Sequence, residues 1–148
     1  MKRMLAALAF ASAAGCGGGD SGGTKNLANF QGATWNGQIT TTVTCSGSAP
    51  QTSASGYAVV FSPGTGADLQ YASQAGCIFQ FNVSGNTASL SNAPVSCSTN
   101  ANGTNVTLAW TTYTVTTSDG HSLNISGAGT GTALGQTCPF TQTGSAAR

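Results

Sequence analysis

Cys77-Ile-Phe-Gln-Phe-Asn-Val-Ser84 places Cys77, Phe79, Phe81 and Val83 on one side of an alternating pattern and Gln80, Asn82 and Ser84 on the other. Successive side chains of a β-strand point to opposite faces, so the stretch reads as a strand with one face buried. Gly85-Asn86 is a two-residue turn of the kind that needs a positive φ, and Thr87-Ala-Ser-Leu-Ser91 returns to complete a hairpin. No segment around it carries a helical period, so an all-β fold is expected.

Upstream, Asp68-Leu-Gln-Tyr-Ala-Ser73 keeps Leu69 and Tyr71 in phase and is joined through the Pro63-Gly-Thr-Gly66 turn to Tyr57-Ala-Val-Val-Phe61. Ser46 to Gly56 reads as a small-residue loop. Before it, Trp35 to Cys45 forms a half-buried strand with Trp35, Ile39, Val43 and Cys45 on one phase. Downstream, Asn92-Ala-Pro-Val-Ser-Cys97 leaves the hairpin, and Ser98 to Gly103 reads as a polar loop. In Asn105 to Thr117 the apolar phase changes from even (Val106, Leu108, Trp110) to odd (Tyr113, Val115), which predicts a β-bulge near Thr111 or Thr112. Asp119-Gly120 is the strongest turn signal, and Leu123 and Ile125 resume the alternation. Gly127, Gly129 and Gly131 then form a stripe without side chains. A last strand, about Thr137 to Thr143, carries Cys138 and Phe140. Eight strands with mainly short connections favour an antiparallel up-and-down barrel, with a two-sheet β-sandwich as the alternative.

Barrel closure has a consequence for the cysteines. In a closed meander the first and last strands are antiparallel neighbours, which brings Cys45 to Cys138; Cys77 and Cys97 meet at the open end of one hairpin. Two disulfides, Cys45–Cys138 and Cys77–Cys97, are therefore expected from the connectivities that four cysteines allow. A zinc site is the rival, although no Cys-x-x-Cys pair is present.

The fifth cysteine belongs to the start of the chain. Lys2 and Arg3 precede an apolar run, Met4 to Ala14, that is too short to span a bilayer and ends in Ala13-Ala14-Gly15-Cys16. This segment resembles the lipobox signal of bacterial lipoproteins. The resemblance implies removal of residues 1–15 and attachment of a diacylglycerol, with acyl chains such as palmitate, at Cys16; an ordinary secretory signal is the alternative. Each buried methylene of such chains contributes about 0.8 kcal/mol, so the anchor is stable. Gly17, where a retention signal would place Asp, points to the outer membrane of the cell envelope. Residues 16–29 read as a Gly-rich tether reaching roughly 20 Å, and residues 30–148 as one β domain.

Only 5% of the 148 residues are charged and Glu is absent. A surface of Thr, Ser, Asn, Gln and Gly suits an extracytoplasmic β protein and offers no basic patch for phosphates, so nucleic acid is excluded as an expected partner. Asp119 and His121 are the nearest acid and base, but the turn explains the first and solvent exposure the second. No Gly-x-Ser-x-Gly elbow or phosphate-binding glycine loop is present, and neither an enzyme nor a cofactor is expected.

With its lipobox, Gly-rich tether, early Trp35 and four further cysteines, the chain resembles the small lipoproteins abundant in myxobacteria and related bacteria. More distantly, its strand layout is similar to calycin-like barrels, which include lipocalins and small periplasmic inhibitors of metalloproteases, although Ala33-Thr34 precede Trp35 where lipocalins carry Gly-x-Trp. Two functional expectations follow. One is a non-catalytic envelope module, structural or docking a protein partner through Ser46–Gly56 or Ser98–Gly103, with a protease inhibitor as one form. The other is a barrel holding a small apolar ligand among interior aromatics, of which Trp35, Phe79, Phe81 and Trp110 are the first candidates and Tyr57, Phe61, Tyr71 and Phe140 the next. An internal cavity favours the second reading.

Overall fold

The computed structural model describes residues 24–148 apart from positions 74 and 102. The signal, Cys16 and most of the expected tether lie outside the described residues. Ten strands follow a short 3-10 helix, Leu27–Asn29. They are β1 (Thr34–Val43), β2 (Gln51–Val60), β3 (Ser62–Pro63), β4 (Leu69–Ala72), β5 (Ile78–Ser84), β6 (Thr87–Leu90), β7 (Val95–Ala101), β8 (Thr104–Thr116), β9 (Ser122–Ala133) and β10 (Gln136–Ala147). All belong to one antiparallel sheet in the order β2-β1-β10-β9-β8-β6-β5-β4-β3, with β7 also paired to β8.

Among the described residues ten strands stand where eight were expected, β3 and β7 being additional to them. β2 and β3 are one stretch interrupted at Phe61, and β6 and β7 lie end to end along the same edge of β8, separated by a bend that contains Pro94, which has no N–H to donate. Because β2 pairs with β1 while its continuation β3 pairs with β4, the sheet returns to itself. The result is the eight-position, up-and-down, calycin-like barrel. Its wall is continuous at one end and interrupted at the other, where β2 has no strand partner on its outer edge among the described residues.

Three expectations are corrected. Gln51 to Gly56, expected as loop, is strand, paired from Val43↔Gln51 to Gln38↔Gly56. Ser98 to Ala101 is strand as well, paired with Thr104 to Thr107. Neither stretch has large apolar residues to set a period; the pairing comes from the neighbouring strand. The third concerns the tether: Lys25 bridges to Gly85 and Asn26 donates its N–H to the Gly85 carbonyl, so the packed chain starts before Phe30.

The continuous end is packed solid. Phe30, Trp35, Leu69, Phe81, Val115 and Leu123 are fully buried there, and the 3-10 helix covers them. Trp35 Nε1 donates to the Phe30 carbonyl at 2.8 Å, and the Arg148 guanidinium lies 4.5 Å above the Trp35 ring while donating to the Gln31 carbonyl. This cation–π contact contributes about 0.5–2 kcal/mol and ties the last residue to the first strand. Asn86 Oδ1 accepts from both Asn26 and Asn29, fixing the helix over the β5–β6 turn.

The register shift between Trp110 and Thr112 places the bulge where the phase change predicts it. Both Trp110 and Tyr113 therefore face inward, with Thr111 the extra residue. The glycine stripe serves this packing. A Cβ on Gly127 would lie 2.9 Å from the Tyr113 ring, and one on Gly129 would meet the Ala109 carbonyl and the Phe140 ring.

Cys45 pairs with Cys138 and Cys77 with Cys97, at Cα separations of 4.7 and 5.8 Å. The first ties β1 to β10 across the seam of the meander, and its 93-residue span constrains the unfolded chain more than the 20-residue span of the second. Replacing Cys45 and Cys138 together by Ala should lower unfolding free energy by about 4–5 kcal/mol, against about 3 kcal/mol for Cys77 and Cys97, as measured by urea titration of the intact chain.

Asp119 shapes the β8–β9 turn: its Oδ1 accepts from the backbone N–H of His121 and of Ser122, and Ser122 Oγ donates to the same carboxylate. These bonds hold its pKa at about 2, below the usual carboxylate range. The folded-state pKa is depressed, so the contribution to stability is complete above the unfolded carboxylate value, near 4, and is lost as pH falls through about 2. Asp119→Asn should flatten the stability profile between those values while leaving the barrel folded at neutral pH, as followed by denaturation at stepped pH.

Candidate functional site

Inward positions alternate along every strand, but they do not fill the barrel evenly. At the continuous end the inward residues are Phe, Leu and Val; toward the interrupted end they become Ser53, Ser55, Ser73 and Thr99, too small to meet across the interior. Among the described residues the unfilled space includes three adjoining recesses of about 550, 210 and 160 Å3. The largest opens between β2 and β7, above the short β4–β5 hairpin, and reaches Trp110 and Leu108. The smallest lies deeper and shares Tyr57, Tyr71, Ser73 and Trp110 with it. The third lies beside the Cys45–Cys138 bridge, where Gly131 and Leu108 help form its wall.

The wall shared by the largest and smallest recesses is aromatic. Tyr71 stacks on Phe79 with centroids 5.6 Å apart and planes at 22°, and Trp110 meets Phe79 edge-on at 5.1 Å. Below them the rings continue through Tyr113, Phe81 and Phe61 to Phe30, so the cavity floor rests on the packed end. Of the four first candidates, Phe79 and Trp110 border the cavity. Trp35 and Phe81 do not: both are fully buried in the packed end, because their strands place them below the level of the floor. Tyr57 and Tyr71, from the second group, take their places at the cavity wall.

Polar groups inside the barrel form a short relay. Trp110 Nε1 donates to Gln142 Oε1 at 2.9 Å, and Gln142 Nε2 donates to Thr41 Oγ1 at 3.0 Å. Gln142 and Thr41 interrupt the apolar alternation, and their inward phase was the only sequence signal for them. The Tyr57 hydroxyl is buried and, among the described residues, is the one such side-chain atom with no hydrogen-bond partner. Burial, with a smaller effect from Tyr71, pushes its pKa up to about 12; burial also raises those of Tyr71 and Tyr113. All three phenols stay neutral at physiological pH.

The ionic groups lie elsewhere. Lys25 and Asp68 pair at 2.9 Å near the start of β4, with Asp68 also accepting from the Val83 N–H, and Asp119, His121 and Arg148 sit at the β8–β9 turn and the chain terminus. Every described charge is thus at the packed end, and no charged side chain borders the three recesses. Lys25 and the Val83 N–H hold the Asp68 carboxyl below its ordinary value. Among the described residues no group of His, Cys, Asp and Glu is placed to hold a metal ion.

Fold and cavity together define the class: an antiparallel β-barrel with one packed end and one hollow, uncharged end. Comparison with protein-family models, curated proteins and solved structures gives no match to this chain.

An unpartnered buried hydroxyl costs about 1–3 kcal/mol of desolvation. Tyr57→Phe keeps the ring and removes that cost, and should raise unfolding free energy by about 1 kcal/mol, as read from the urea midpoint at unchanged slope.

Proposed function

We propose that this chain is a non-catalytic, lipid-anchored barrel of a bacterial cell envelope that holds a small molecule in its hollow half. The cavity carries the reading. A recess of about 550 Å3 with an aromatic wall lies within the size range of small-molecule sites, roughly 300–1,000 Å3. A barrel serving only as a spacer would gain stability by filling it.

The envelope address rests on Ala13-Ala14-Gly15-Cys16 and draws support from two cystines, which persist in oxidising compartments. Gly17 favours the outer membrane. The non-catalytic character is supported by Asp119, whose carboxylate is engaged by its own turn, and by the distance in the fold between that turn and the cavity.

One observation favours a second reading, a docking module for an envelope protein. Among the described residues the outer edge of β2 is unpaired, and Gln51-Thr-Ser-Ala-Ser-Gly56 carries none of the charges or prolines that usually blunt an edge strand. An extended segment of a partner, including a protease in the inhibitor version, would add there as a further strand.

The test is native mass spectrometry of the chain recovered from its host's envelope under non-reducing conditions. The expected result is a protein bearing acyl chains at Cys16 and a stoichiometric small mass that departs on denaturation. An unmodified Cys16 would overturn the anchor. A bare barrel that co-purifies with a protein and releases it on competition by a β2 peptide would replace the ligand reading with the docking one.

A further inference from the structure

Two features of the cavity restrict what it can take. The first is the Tyr57 hydroxyl. Its ring comes from the inward face of β2, opposite Gly37 of β1, and borders both the 550 and the 160 Å3 recesses. The neighbouring polar groups are mutually satisfied: Trp110 Nε1 is held by Gln142, and Gln142 by Thr41. Among the described residues Tyr57 Oη is the one buried side-chain donor and acceptor left without a partner, and a small turn of its ring brings it to the recess.

The second feature is the segregation of charge. Lys25, Asp68, Asp119, His121 and Arg148 are all at the packed end, so among the described residues none near the cavity can neutralise an ion. An ion taken from water into such a site without a counter-charge loses its hydration and gains little in return. A flat uncharged ring loses no such hydration and gains contact with the Tyr71–Phe79–Trp110 wall.

We infer that the cavity selects an uncharged, ring-containing amphiphile whose ring lies against Tyr71 and Trp110 and whose one hydrogen-bonding group meets the Tyr57 hydroxyl. This rests on the small-molecule reading above and adds the class of ligand and its orientation. It also gives Tyr57 a function that works against stability: the hydroxyl is left unpaired in the empty barrel and paired in the filled one.

The test uses the full chain carrying Cys16→Ser, which keeps it off membranes, and three fluorescent probes on one scaffold. N-phenyl-1-naphthylamine is neutral with an N–H; its N-methyl derivative is neutral without one; 8-anilinonaphthalene-1-sulfonate adds a negative charge. Binding is read by quenching of tryptophan emission. The neutral N–H probe should bind at one per chain, and the sulfonate at least about tenfold more weakly. Tyr57→Phe should weaken the N–H probe by about five- to tenfold and leave the N-methyl probe unchanged. Equal binding of the sulfonate, or equal loss of both neutral probes in Tyr57→Phe, overturns this inference and leaves the ligand-binding barrel standing. Failure of all three probes to bind the unsubstituted barrel overturns both.

Discussion

A sheet that returns to its own first strand encloses an interior whose width is set by strand number and tilt, and the side chains pointing inward must either fill it or leave it hollow. Everything distinctive in this barrel follows from how that fixed space is shared. Trp35, Phe30, Phe61 and Phe81 occupy it completely at one end, with the 3-10 helix and Arg148 sealing what remains. At the other end Ser53, Ser55 and Ser73 leave it open, and the Cys45–Cys138 bridge replaces side-chain packing as the tie between first and last strands. Covalent closure stands where hydrophobic closure is weakest.

The same constraint explains the glycines and the bulge. The rings of Tyr113 and Phe140 lie over their cross-strand partners on β9, Gly127 and Gly129, where a Cβ would come within 2.9 Å of each ring. The extra residue at Thr111 resets the phase of β8 so that Trp110 and Tyr113 both point inward. One aromatic then borders the cavity and the other supports its floor. The cavity wall and the core are thus one continuous cluster, and a shift in one ring would be felt by the next.

Much of this was legible in the sequence, because period-two alternation reports which face of a strand is inside. It located the strand around Phe79 and Phe81, the phase change at Thr111, and the closed meander that pairs the cysteines. Alternation is silent about height within a barrel. Phe79 and Phe81 share one phase on one strand, yet one borders the cavity and the other is core, a distinction made by strand stagger and by the 3-10 helix. Gln51–Gly56 and Ser98–Ala101 were unreadable for a different reason: strands made of small polar residues have no apolar period, and their structure is imposed by β1 and β8. Gln142 and Thr41 were not singled out, because the sequence alone does not show that they face each other on β1 and β10 and bond inside the barrel.

The path of the chain into the barrel has a geometric consequence. Lys25 and Asn26 join the structure beside Gly85, at the packed end, and the hollow end is the far side of the molecule. A segment that held the protein from its N-terminal side would attach at the sealed base, which leaves the mouth on the side away from the point of attachment. Under the proposed anchor, a molecule taken up there would come from the aqueous space, and the barrel would act as a stationary collector and not as an extractor working on a bilayer.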